Sequence, residues 1–262
     1  MEKVFIRNRK DQRIAVIVET SPRHKGLAFV MHGLGEFKEQ PHIQTFAQAF
    51  AEADFTVVRF DTTNTFGESD GNYADATVTN YFEDLEDVIE WATSQSWYQE
   101  PFALAGHSLG GICIALYAEK FPDKVLALAP ISSVVSGVLS VQTDKHKNAL
   151  EEWKRTGWDE EIGHDGRVKR LKWSHMEDRM KYDLLPMAGR LTMPVLLVVG
   201  ENDGSTPPEH QKILFDALPG PKEIHVIKGA PHTFREPGHL AQVKNLFSNW
   251  MCTLPRSLKC YT

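Results

Sequence analysis

The sequence predicts an α/β fold: a mainly parallel sheet with helices on both faces and one large insertion. Three observations point to it. Short β-branched apolar runs recur along the chain and read as strands buried on both faces. Helical patterns alternate with these runs. Glycine-rich turns stand just past the C-terminal ends of several of them.

The elements follow in order. Residues 4–7 and 13–19 flank Asn8-Arg9-Lys10-Asp11-Gln12 and predict an opening hairpin. Strands are then expected at residues 27–31, 55–61, 102–105, 125–129, 195–199 and 223–227. Helices are expected between them, at residues 43–52, 78–94, 111–120 and 207–218. One stretch breaks the rhythm. Roughly sixty residues, 132–192, separate two consecutive strands, where the usual βα connection has about 2–6. Residues 1–131 and 193–262 are therefore read as the core, and 132–192 as a cap (lid) over the site. Glu151-Glu152-Trp153-Lys154-Arg155, with Trp158 and Trp173 nearby, predicts short amphipathic helices there. Those tryptophans are read either as packing within the cap or as the lining of an acyl or aryl pocket.

The chemistry centres on Gly106-His107-Ser108-Leu109-Gly110, placed between an apolar strand and a helix with Ile112, Ala115, Leu116 and Glu119 at helical spacing. A serine between two glycines at such a junction is a nucleophile elbow. The turn is too tight for side chains at either glycine, and the following helix points N–H groups at the same spot. An acid and a histidine should follow in that order. Glu201-Asn202-Asp203-Gly204 ends the strand at 195–199, and Lys228-Gly229-Ala230-Pro231-His232-Thr233-Phe234 follows the strand at 223–227. Parallel strands present ligands at their carboxyl edge, so Ser108, Asp203 and His232 should meet there. Ser108 would attack, His232 would carry the proton, and Asp203 would orient the imidazole. Ahead of the elbow, the strand at 27–31 runs into His32-Gly33-Leu34-Gly35. The N–H groups of Leu34 and Leu109 are the expected oxyanion hole.

Competing residues rank lower. Glu201 lies nearer the strand than Asp203, and Asp216 sits within a helix. Among the eleven histidines, His107 is expected to serve shape and packing, His225 to be structural, and His239 to be solvated. His146, His164 and His175 show no metal-ligand spacing, so no metal site is expected.

The chain resembles an α/β-hydrolase over nearly its whole length. It is most similar to the branch of bacterial cinnamoyl/feruloyl esterases, monoacylglycerol lipases and serine aminopeptidase-like hydrolases. The residues above carry the resemblance, together with Arg59-Phe60-Asp61, Gly67-Glu68-Ser69-Asp70-Gly71 and Leu128-Ala129-Pro130. It implies an α/β-hydrolase fold and a serine carboxylesterase that works through an acyl-enzyme without a cofactor. Short- to medium-chain acyl or aryl esters, cinnamoyl-type included, are the expected substrates. The alternatives are a monoacylglycerol or lysophospholipid lipase, a thioesterase, an aminopeptidase, and a catalytically silent binding protein on the same fold. Two departures stand out. Asn64 sits near a position where these relatives carry glycine. Between Ile131 and Thr143 the chain has no acid, whereas cinnamoyl esterases of this type meet the phenolic hydroxyl with one.

Composition excludes other classes. Net charge is −6 with both signs interspersed, so nucleic acid is not an expected partner. No apolar run approaches membrane-spanning length. The first ten residues lack the apolar core of a signal peptide. With three cysteines, Cys113, Cys252 and Cys260, this reads as a reducing cytoplasm. Cys113 is expected to be a buried small hydrophobe. The expected partner is a small-molecule ester; the oligomeric state stays open, a homodimer being one option.

Overall fold

Period-two alternation in the central strands sorts their side chains onto two cores. In β3 (Gly26–Met31), Leu27, Phe29 and Met31 face one core, while Ala28 and Val30 face the other. The computed structural model describes residues 1–143, 147, 149–163 and 166–254. His146, His164 and Cys260 lie outside them. Besides β3, the main sheet contains β1 (Glu2–Arg7), β2 (Arg13–Glu19), β4 (Phe55–Phe60), β5 (Phe102–His107), β6 (Val125–Ile131), β9 (Val195–Gly200) and β10 (Lys222–Ile227). The order is β1-β2-β4-β3-β5-β6-β9-β10. The opening hairpin β1–β2 joins β4 antiparallel; all later pairings are parallel. This is the α/β-hydrolase fold.

Helices α1 (Pro41–Glu52) and α8 (Pro237–Thr253) cover one face, with Phe46 stacked on Phe247 at 5.1 Å. Helices α2 (Val78–Ala92) and α3 (Leu109–Lys120) cover the other. α2 starts on Thr77, whose hydroxyl accepts from Asn80 N–H at 3.0 Å, which satisfies one of the unpaired first-turn donors. α3 is buried on nearly every side, as a helix with apolar residues all round should be. Cys113 lies on it and is buried, as expected. Helix α7 (Pro208–Ala217) connects β9 to β10.

The segment 132–192 differs from its expectation. Its described residues include the short α-helices α4 (Gly137–Ser140), α5 (Leu150–Thr156), which covers the stretch expected to be helical, and α6 (Ser174–Arg179). It also has an antiparallel hairpin that helical patterning did not predict, β7 (Trp158–Ile162) with β8 (Val168–Lys172). Glu160 and Arg170 face each other across the ladder, joined at 2.7 Å, and the Arg170 guanidinium also lies 4.1 Å from the Trp158 ring centroid. Cross-strand charge and cation–aromatic pairs hold this hairpin where little is buried. Trp153 packs inside the segment, edge-on to Trp173 at 5.9 Å and stacked over His175. Among the described residues no helix is long and apolar enough to cross a membrane.

Candidate active site

Ser108 caps β5 and precedes α3 with φ 53 and ψ −112, a strained region for a side chain other than glycine. The elbow closes because its flanks are glycines. A Cβ on Gly106 would lie 2.6 Å from the Gly110 carbonyl oxygen, and one on Gly110 would lie 2.4 Å from that of His32.

The structure brings Ser108, Asp203 and His232 together. Ser108 Oγ is 2.9 Å from His232 Nε2, and His232 Nδ1 is 2.8 Å from Asp203 Oδ2. Such a chain can move a proton from the hydroxyl to the imidazole while the carboxylate steadies the resulting cation. Asp203 is buried, and its second oxygen accepts from Ser205 N–H at 2.9 Å and Thr206 N–H at 2.8 Å. Burial alone would raise its pKa, but His232 and Thr206 outweigh it and hold the carboxyl well below the usual range. For His232, burial outweighs Asp203 and lowers the pKa below the ordinary histidine value. The competing acids are placed elsewhere: Glu201 is exposed and accepts from Gly229 N–H at 2.8 Å, and Asp216 pairs with Lys212.

Leu34 and Leu109 flank the same edge. In the turn after β3, Gly33 N–H donates to Glu36 Oε2 at 2.8 Å and Gly35 N–H to Tyr81 Oη at 3.4 Å. Leu34 N–H has no protein acceptor among the described residues, which leaves it available to a ligand oxygen. His32 pins this turn from behind: Nδ1 donates to Gly33 O at 2.8 Å and Nε2 accepts from Thr62 N–H at 3.0 Å.

Three other side chains at the site escaped the sequence reading. Thr206 Oγ1 lies 2.9 Å from Asp203 Oδ2 and 2.8 Å from Ser132 O. Glu36 Oε2 also faces His107 Nδ1 at 3.0 Å and His42 Nε2 at 3.2 Å. The signal for Glu36 was its spacing, three residues past Gly33, from which a carboxylate reaches back to a turn amide. His107, expected to fill space, is a bridge instead: its Nε2 is 2.9 Å from the His232 carbonyl oxygen. His239, expected in solvent, is buried in the first turn of α8. His225 pairs with Glu223 on β10.

The donor atoms of Glu36, His42 and His107 all lie within 4.8 Å of one another, close enough to raise the question of a metal. Their chemistry favours hydrogen bonds. The Glu36 oxygen that faces both rings also accepts the Gly33 amide proton, so the three donors converge on one atom. Burial would raise the Glu36 pKa, but the charges of His107 and His42 hold it well below the usual carboxylate range.

Known proteins resemble this chain in sequence and in fold. A family model described as serine aminopeptidase, S33, matches residues 22–160. An uncharacterized 31.7 kDa Escherichia coli protein from the traX-finO intergenic region is 30% identical over 220 residues, 71% of this chain and 76% of its own. The mouse mitochondrial palmitoyl-protein thioesterase ABHD10 is 27% identical over 214 residues, 79% of this chain and 66% of its own. Among solved structures, Est1E from Butyrivibrio proteoclasticus with bound ferulic acid superposes with a TM-score of 0.76 at 22% identity, over 95% of this chain and 98% of that one. Mouse ABHD10 superposes with a TM-score of 0.78 at 19% identity, over 96% and 99%.

Proposed function

We propose, from the premise that the chain belongs to the serine aminopeptidase S33 family of α/β-hydrolases, that this serine hydrolase cleaves carboxylic esters of short- to medium-chain or aryl acids. The observation that carries the reading is the unbroken chain from Ser108 Oγ through His232 to Asp203, at 2.9 and 2.8 Å. In this mechanism Ser108 Oγ attacks the ester carbonyl as His232 Nε2 takes its proton. The Leu34 and Leu109 N–H groups hold the oxyanion. His232 returns the proton to the leaving alkoxide, and water, activated by the same imidazole, releases the acid. No cofactor enters these steps.

Segment 132–192 acts, in this reading, as a cap on the core formed by 1–131 and 193–262. Its insertion directly after β6, beside the elbow, favours that role: Val134 N–H donates to Ser108 O at 3.1 Å. A second reading, thioester hydrolysis, is favoured by similarity to the palmitoyl-protein thioesterase ABHD10. It uses the same acyl-enzyme with a better leaving group. Aminopeptidase activity is less favoured, because it needs a carboxylate free to hold an amine, and Glu36 Oε2 is spent on three N–H donors.

A single experiment ranks these activities. p-Nitrophenyl esters of increasing chain length, an acyl-CoA and an aminoacyl p-nitroanilide are compared by kcat/KM. Ester turnover with a p-nitrophenol burst is expected. Higher kcat/KM for the acyl-CoA than for the oxygen esters would favour the second reading. No turnover of any of the three, with no fluorophosphonate adduct, would overturn both.

A further inference from the structure

Among the described residues, Arg179 is a buried cation with no counter-charge. It is 6% exposed, and among the described residues its guanidinium makes no hydrogen bond, ion pair or aromatic contact. Its Nε is sealed from accessible space and unpaired. The terminal nitrogens are not sealed, so the head of the side chain reaches open space. Burial is what pushes its pKa down, to about 10, and no carboxylate raises it. The neighbouring acid, Asp178, is spent on Thr79 N–H, Thr79 Oγ1 and Lys181 Nζ. Buried charges are ordinarily paired, and an unpaired one in a native fold calls for a missing partner.

Its surroundings share the deficit. Eight buried side-chain polar atoms lack a partner among the described residues, and five of them belong to Ser132, Ser136, Trp153, His175 and Arg179. His175 Nδ1 donates to Ala76 O at 2.9 Å, which leaves Nε2 as a bare acceptor; Trp153 Nε1 is a bare donor. Backbone hydrogen bonds tie the chain that carries this group to the elbow. Val134 N–H donates to Ser108 O at 3.1 Å; next along the chain, Val135 O accepts from Leu184 N–H at 3.0 Å, and Gly137 N–H donates to Tyr182 O at 2.8 Å. The stretch leaving the nucleophile is thus laced to the chain just past α6, on which His175 and Arg179 lie one turn apart.

We propose that Arg179 holds a carboxylate of the substrate, remote from the scissile bond, so that the enzyme selects esters carrying a negative charge. The planar guanidinium suits a carboxylate in two-point contact. The inference rests on the ester-hydrolase reading above, and the carboxylate belongs to either the acyl or the alcohol part.

Matched pairs separate these cases. p-Nitrophenyl hydrogen adipate is compared with p-nitrophenyl hexanoate for the acyl side, and 3-acetoxybenzoate with phenyl acetate for the alcohol side, in wild type, Arg179→Met and Arg179→Lys. We expect the anionic member to lead its neutral partner by about tenfold or more in kcat/KM in one pair. Arg179→Met should reverse that ratio, and Arg179→Lys should retain part of it. Arg179→Met should also melt no lower than wild type, since it removes an unpaired buried charge. Adipate should raise the melting temperature of Ser108→Ala but not of Ser108→Ala/Arg179→Met. A wild-type preference for the neutral member of both pairs, or a ratio that Arg179→Met leaves unchanged, overturns the proposal. If wild type hydrolyses none of the four esters, the ester-hydrolase reading itself has failed, which fluorophosphonate labelling of Ser108 checks independently.

Discussion

His107 Nε2 stands 2.9 Å from the carbonyl oxygen of His232, while its Nδ1 stands 3.0 Å from Glu36 Oε2. Both ring nitrogens face acceptors, and a neutral imidazole has one N–H to give. The doubly protonated ring satisfies both. Burial works against that form, but the Glu36 carboxylate outweighs it and raises the His107 pKa above the ordinary value. The residue beside Ser108 therefore ties the loop of His232 to the turn that carries Leu34, through a buried ion pair.

That arrangement makes a prediction about pH. His232 must be neutral to accept the Ser108 proton, so activity falls as pH drops through its pKa. Burial lowers that pKa below the ordinary value of about 6.5, and the charge of His107 lowers it further. In His107→Asn the acid limb of kcat/KM should move up in pH, and kcat should fall about 10–100-fold with little change in KM. A variant whose activity drops while the limb stays in place would show that His107 only supports packing.

The serine, acid and base roles separate by mutation. Ser108→Ala should lower kcat by roughly 10⁴–10⁶ and abolish fluorophosphonate labelling. His232→Ala should be nearly as damaging. Asp203→Asn should cost about 10²–10⁴, because the ring keeps part of its orientation. Glu201→Gln serves as the control, expected near wild type. Loss of activity in Glu201→Gln with Asp203→Asn spared would reassign the acid.

A third prediction concerns stability. Glu119 is buried on α3 with Oε1 unpaired. Burial, aided by the charge of Asp183, outweighs Arg190 and pushes its carboxyl up to about 8. In the unfolded chain it titrates near 4.3. Between those values the folded state holds the extra proton, so stability falls as pH rises from about 4 to 8 and then levels off. Glu119→Gln should abolish that loss. Chemical denaturation should find the variant about 1–3 kcal/mol more stable relative to wild type at pH 9 than at pH 5. An equal difference at the two pH values would show that Glu119 is not protonated in the fold.

Much of this was legible in the chain because it obeys local rules. The strands announced themselves by β-branched runs, and Ser108 by its two glycines. Asp203 and His232 followed from their places just past strand ends. Asn64, standing where relatives carry glycine, takes the left-handed conformation with φ 58. What the sequence hid depends on distance in space. Glu36 looks like a loop acid until β5 brings His107 against it, 71 residues away. The β7–β8 hairpin was masked by its charges, since strand patterning looks for one buried face and this ladder has scarcely any. Its local cue was Gly166, which takes a left-handed φ of 78 between the two strands. His239 reads as a surface residue, yet it is buried in the first turn of α8.

The last prediction concerns segment 132–192, whose role as a cap is a proposal. The strands of the β7–β8 hairpin carry a single buried side chain, so trimming residues 158–172 to a short glycine-serine turn removes little buried surface. Leu171 is the buried exception, and its loss should cost about 2 kcal/mol. The main sheet and the Ser108–His232–Asp203 chain touch neither strand through any pairing. Fluorophosphonate should therefore still label Ser108. If the segment supplies remote contacts, bulky esters should lose far more kcat/KM than acetate esters, because only large substrates draw binding energy from a distance to lower the barrier at the reacting carbon. A tenfold or greater difference between p-nitrophenyl decanoate and acetate is expected. Equal losses for the two would mean that the hairpin supports the fold and leaves substrate choice to other parts of the site.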